Sequence, residues 1–135
     1  MSDQGWTDKR PMSPHLQIWK FHPTMLTSIL HRATGVANAA GLILIVGWLF
    51  AAATGEEYYT TYDAIFTSIF GKIVLFGFTV SIFYHWFSGV RWFFWDMGKG
   101  FAPKTANTWS ILSLLFGVVG AAVAWFAAGL VPLNG

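Results

Sequence analysis

Three long stretches of this chain carry no Asp, Glu, Lys or Arg: Ala33–Gly55, Ile73–Val90 and Thr105–Gly135. A water-soluble fold needs charge on its outer surface, and these stretches supply none. The first spans roughly 34 Å as a helix, enough to cross the hydrocarbon of a bilayer. Charged residues are 10% of the 135, against about 25% in an average soluble domain. With 55% of its residues hydrophobic and 19% aromatic, the chain is also too apolar to be disordered. The sequence predicts an all-α membrane protein with three transmembrane helices, over about 25–53, 63–97 and 106–130.

The charges outside those stretches predict an orientation. Lys9, Arg10, Lys20 and Arg32 precede or open the first span, and Arg91, Lys99 and Lys104 cluster between the second and third. The intervening loop holds Glu56, Glu57 and Asp63 but no cation. By the positive-inside rule the N-terminus faces the cytoplasm and the C-terminus the periplasm. Residues 1–24 read as a cytoplasmic N-terminal arm broken by Pro11, Pro14 and Pro23, followed by a three-helix anchor domain over 25–135. The arm has no apolar core of an export signal, and Asp3 and Asp8 argue against a mitochondrial transit peptide. A bacterial inner (cytoplasmic) membrane is the expected location. The net charge of +2, spread over a lipid-embedded chain, makes no nucleic-acid surface. The absence of cysteine rules out a disulfide framework, a thiolate zinc site or an iron–sulfur cluster held by this chain.

Within the third span, Gly117 and Ala121, and then Gly120, Ala124 and Ala128, recur every fourth residue. That spacing lets another helix approach closely, although small residues are also common in any membrane span. Most of the tryptophans fall near predicted span ends, where an aromatic belt at the membrane interface accounts for them.

Two places interrupt the apolar pattern with ionisable groups, which are costly at membrane depth. One is Ser28-Ile29-Leu30-His31-Arg32 at the start of the first span; the other is His85, followed by Gly89, Arg91 and Asp96. His85 lies six residues before Arg91, hence about 9 Å deeper in the membrane. His31, beside Arg32, is expected at the shallower Arg91 level. His85 and Gly89 share a helix face, and the missing Cβ at Gly89 leaves room for a flat ligand. A buried neutral imidazole in that setting suits axial ligation of a haem iron, which makes His85 the candidate metal ligand. Arg32, Arg91 and His31 would then meet the haem propionates by charge-assisted hydrogen bonds. Ser28, Arg32 and Asp96 are the donors and the acid for a candidate quinone pocket. The competing readings are a histidine bonded to a neighbouring helix, a cation pair on lipid phosphate, and a solvated acid at a helix end. There is no nucleophile–base set and no phosphate-cradling glycine loop, so no catalytic residue is assigned.

These motifs resemble one family. Arg10-Pro11-Met12-Ser13-Pro14-His15-Leu16, Ser28-x-x-His31-Arg32-x-x-Gly35 and His85-x-x-x-Gly89-x-Arg91 with Asp96 together resemble the cytochrome b556 subunits of succinate dehydrogenase. The resemblance implies a membrane anchor of complex II that pairs with a second small anchor subunit and docks an iron–sulfur subunit and a flavoprotein subunit. It implies haem b held by His85, with the second axial ligand from the partner anchor. It further implies propionate contacts at His31 and Arg32, and a ubiquinone pocket lined by Ser28 and Arg32. Succinate oxidation would belong to other chains of the enzyme complex. The alternatives are a fumarate reductase-type anchor and a haem-free structural anchor. One departure stands out: the family's usual histidine after the second-motif arginine is Trp92 here.

Overall fold

The computed structural model describes residues 20–129, and among these every regular element is helical: α1 (Pro23–Thr54), α2 (Glu56–Thr67), α3 (Ile69–Asp96) and α4 (Pro103–Ala127). Helices α1, α3 and α4 are long and apolar enough to cross a membrane, matching the three charge-poor stretches. The expected arm lies outside the described residues except for Lys20–Thr24, and Pro23 already opens α1. The expected end of the third span at Leu130 also lies outside them.

Local chemistry sets the boundaries. Pro23 and Pro103 sit in the first turns of α1 and α4, where a missing N–H costs nothing. Gly55, at φ 150°, breaks α1 from α2 in a conformation that favours glycine. Glu56 and Glu57 then fall in the first turn of α2, favourable to its dipole. The expected single helix over 63–97 is divided at Ser68, whose backbone is extended and whose hydroxyl accepts from the Gly71 N–H at 3.0 Å. This side-chain cap starts α3 afresh. Gly71 is required because a Cβ there would come within 2.8 Å of the Phe66 Cα as α2 folds back on the first turn of α3. Gly98 and Gly100, at φ 75° and 81°, turn the chain from α3 into α4.

Helix α3 is central and packs against both α1 and α4. The interior is made of small and hydroxyl side chains: Thr27, Ser88, Ser110 and Ala121 are fully buried, while Phe70, Ile73, Val36 and Phe50 are exposed. This inverts a soluble core, as expected where lipid is as apolar as leucine and close backbone approach holds helices together. Gly117, Gly120 and Ala121 face α3: a Cβ on Gly117 would lie 2.7 Å from the Tyr84 Cβ, and one on Gly120 would lie 2.7 Å from the Phe83 ring. The close-approach reading of this stripe therefore holds for its first turns, whereas Ala128 is exposed. Polar links cross the same seams. Ser81 donates to the Asn38 side chain at 2.7 Å, joining α3 to α1. The Trp125 indole donates to Thr79 at 3.0 Å, joining α4 to α3, so this tryptophan does more than mark the interface. Ser81→Ala is expected to cost about 0.6 kcal/mol, the usual size of such a bond in a membrane, measurable as a slightly lowered thermal midpoint of the purified assembly.

Candidate functional site

Near the cytoplasmic-end assignment of the sequence, α1 and α3 meet through paired residues on successive levels. On the outer level Arg91 of α3 reaches Thr27 of α1 and Ser110 of α4. Its Nη1 donates to Thr27 Oγ1 at 2.8 Å and also to Ser110 Oγ. The Tyr84 hydroxyl donates to the Thr27 carbonyl at 2.6 Å. The guanidinium lies over the Trp95 ring, 4.7 Å from its centroid, a contact that helps hold a cation away from water. Arg91 is 3% exposed.

About one helical turn deeper, His31 of α1 and His85 of α3 stack, with ring centroids 3.9 Å apart and planes 11° from parallel. The expected depth difference between them is corrected by this stacking. Depth reckoned from a neighbour in sequence takes no account of how antiparallel helices pair: Thr27 pairs with Arg91, so His31, four residues further in, arrives beside His85. Gly89 faces the His31 ring, whose Cε1 would lie 3.9 Å from a Cβ there. The room expected for a flat ligand at Gly89 thus adjoins an imidazole of this chain. Gly35 makes the matching clearance on α1, where a Cβ would approach His85 Cε1 to 3.2 Å.

The His85 hydrogen bonds define its donor chemistry. Its Nδ1 is 3.1 Å from the His31 backbone oxygen and 3.2 Å from Thr34 Oγ1. A carbonyl only accepts, so the proton of the neutral ring resides on Nδ1. The lone pair is then on Nε2. Metal-ligating histidines have this arrangement, the far nitrogen donating to a carbonyl that fixes tautomer and ring orientation. The residues around His85 therefore fit an axial haem ligand. Among the described residues there is no group of three or more His, Asp or Glu side chains that could hold a metal ion by itself.

The remaining predicted site residues are not gathered at the histidines. Arg91 is six residues from His85, which rotates it about 120° around α3, into the α1–α4 seam and off the His85 face. Arg32 is exposed, Ser28 half-buried, and Asp96 exposed at the last residue of α3. Among the described residues these three are not joined by hydrogen bonds or ion pairs. A cavity of about 420 Å³ at this end is walled by His22, Thr24, Trp95, Phe101, Pro103 and Asn107 instead. Trp92, in the place of the family histidine, is 38% exposed and packs edge-on against Trp95. The partners missed by sequence reasoning are hydroxyls: Thr27, Thr34 and Ser110. Their signal was present, since Thr34 lies three residues after His31, on its face of α1.

The architecture is that of a multi-pass membrane protein with a polar seam at one end of its bundle. The family model for the succinate dehydrogenase/fumarate reductase transmembrane subunit matches residues 7–124. The succinate dehydrogenase cytochrome b556 subunit of Paracoccus denitrificans is 39% identical over 98 residues, covering 73% of this chain and 75% of the relative. That of Rickettsia prowazekii (strain Madrid E) is 40% identical over 100 residues, covering 74% and 77%. The mitochondrial cytochrome b560 subunit of Sus scrofa is 30% identical over 111 residues, covering 78% and 64%. The chain belongs to the succinate dehydrogenase cytochrome b556 subunit family, whose members are subunits of an oxidoreductase complex.

Proposed function

We propose that this chain is the cytochrome b anchor of a succinate:ubiquinone oxidoreductase in a bacterial inner membrane, with its N-terminus in the cytoplasm. His85 Nε2 would bind the iron of haem b, and a second small anchor subunit would supply the other protein ligand. The observation that carries this reading is the 3.1 Å approach of His85 Nδ1 to the His31 carbonyl, an acceptor that draws the ring proton to Nδ1 and leaves Nε2 to bind a metal. A bound haem b would supply a one-electron redox centre beside the quinone site. His31 packs against the ligand ring and limits its rotation. Arg32, next to His31 in the sequence, is exposed and available to a propionate or a quinone carbonyl. Arg91 holds α1, α3 and α4 in register through Thr27 and Ser110; its proposed contribution to the haem is to fix the helix that carries His85.

Ser28, Arg32 and Asp96 form this chain's share of the ubiquinone-reducing site, completed by the iron–sulfur subunit and the second anchor. Guanidinium and hydroxyl donors polarise the quinone carbonyls, and Asp96 or water supplies protons. Succinate is oxidised on the flavoprotein subunit. The relatives' names favour succinate oxidation over fumarate reduction.

The test is co-expression with the partner subunits and a reduced-minus-oxidised difference spectrum of the purified complex. A b-type α-band stoichiometric with flavin is expected; its absence would return the chain to a haem-free anchor. Within the same complex, Arg32→Ala is expected to lower ubiquinone reductase activity at least tenfold, in line with loss of a charged substrate contact. Electron transfer from succinate to artificial acceptors that draw on the soluble subunits should stay near wild type. Equal loss in both assays would assign Arg32 to assembly.

A further inference from the structure

The Thr34 hydroxyl sits where two polar demands meet. Its Oγ1 is 2.8 Å from the Leu30 carbonyl and 3.0 Å from the His31 carbonyl on its own helix, and 3.2 Å from His85 Nδ1 across the seam. A hydroxyl has one proton and two lone pairs. The proton goes back to α1, the Leu30 oxygen being the nearer acceptor, and a lone pair faces His85. Because Nδ1 carries the ring proton, His85 donates to Thr34 Oγ1 as well as to the His31 oxygen. The result is a chain running from the imidazole N–H through the threonine hydroxyl to the Leu30 carbonyl, in which each bond polarises the next.

We propose that Thr34 is a positioning residue for His85. It fixes the plane of the imidazole against α1 and, by accepting from Nδ1–H, raises the electron-donating strength of Nε2. The inference rests on the reading of His85 as a haem ligand. Three features support it beyond helix back-bonding, which a threonine performs anywhere in a membrane helix. The stacked His31 covers one face of the ring, and the missing Cβ at Gly35, which would come within 3.2 Å of His85 Cε1, lets α1 lie close against the ring edge. The hydroxyl meets the ring at the nitrogen opposite Nε2, where hydrogen bonding tunes a ligating histidine. Ser81, one turn before His85, donates to Asn38 and approaches the Thr34 carbonyl at 3.4 Å, so the segment of α1 bearing Thr34 is pinned to α3 from below.

The experiment compares Thr34→Val and Thr34→Ser in the assembled complex, reading haem content, haem midpoint potential and the low-temperature EPR signal of ferric haem. Valine keeps the branched shape but removes one of the two acceptors of Nδ1–H, leaving the His31 carbonyl, which weakens the ligand and destabilises ferric relative to ferrous iron. The ferrous-to-ferric ratio at fixed ambient potential should rise on the order of threefold, with a displaced low-field EPR line, while haem content stays at wild-type stoichiometry. Serine, which restores the hydroxyl, should return both values to wild type. Wild-type potential and EPR in Thr34→Val would overturn the inference, as would a serine variant that behaves like valine. Should valine strip the haem altogether, the serine variant decides alone: recovered haem at wild-type potential supports Thr34, and a shifted potential overturns it. The parent reading fails separately, by a His85→Ala complex that keeps its haem.

Discussion

His85→Ala is expected to lower haem content in the assembled complex by at least tenfold, measured as haem per flavin after purification. Altering the outer partners of a ligating histidine already costs 10–100-fold in affinity or activity; removing the imidazole itself should cost at least as much. Alanine also leaves His31 without its stacked partner and Gly35 without the ring that fills its clearance, so the pocket wall is lost together with the ligand. Succinate oxidation with artificial acceptors should persist, because in the proposed function that reaction lies on the flavoprotein subunit. Haem at wild-type stoichiometry in this variant would exclude His85 as a ligand.

Gly117→Val carries the second large expectation. The added Cβ would stand 2.7 Å from the Tyr84 Cβ, 3.0 Å from its Cα and 3.2 Å from its backbone nitrogen. A flexible side chain could turn aside, but a helix backbone cannot, so α3 and α4 must separate. The seam that opens also carries Ser110, Ser113 and Ala121, all buried, and with them the Arg91 bond to Ser110. Overpacking of this kind costs about 3 kcal/mol. In a membrane assembly that loss should show as a several-fold lower yield of intact complex and a lower thermal midpoint. Wild-type yield and midpoint would mean that α3 and α4 do not meet at Gly117.

What the amino-acid sequence made legible follows from the range of the forces involved. Charge exclusion from lipid acts on each residue separately, so Ala33–Gly55, Ile73–Val90 and Thr105–Gly135 announced the spans without any knowledge of packing. His85 stood out for the same reason, as the lone His, Asp, Glu, Lys or Arg between Ile73 and Val90. The break at Ser68 was hidden because it lies within the largely apolar run Ala64–Gly71, and a single hydroxyl cap together with Gly71 decides it. The face on which Arg91 lies could have been read from its six-residue offset, since rotation about the axis is as regular as the rise along it. The level of His31 could not. It is set by which residue of α1 pairs with which residue of α3, and that register comes from clearances at Gly35 and Gly89 and from the Thr27–Arg91 bond. Thr34 was passed over because a threonine in a membrane helix usually bonds its own carbonyls, and its second partner lies 51 residues away.

An experimental structure of the assembled complex, at a resolution that separates the haem from its axial ligands, measures the decisive distance. Iron at bonding distance from His85 Nε2, with Nδ1 still directed to the His31 carbonyl and Thr34, is the predicted result. Iron bonded elsewhere, or a His85 ring rotated out of the α1–α3 seam toward lipid, would contradict the account.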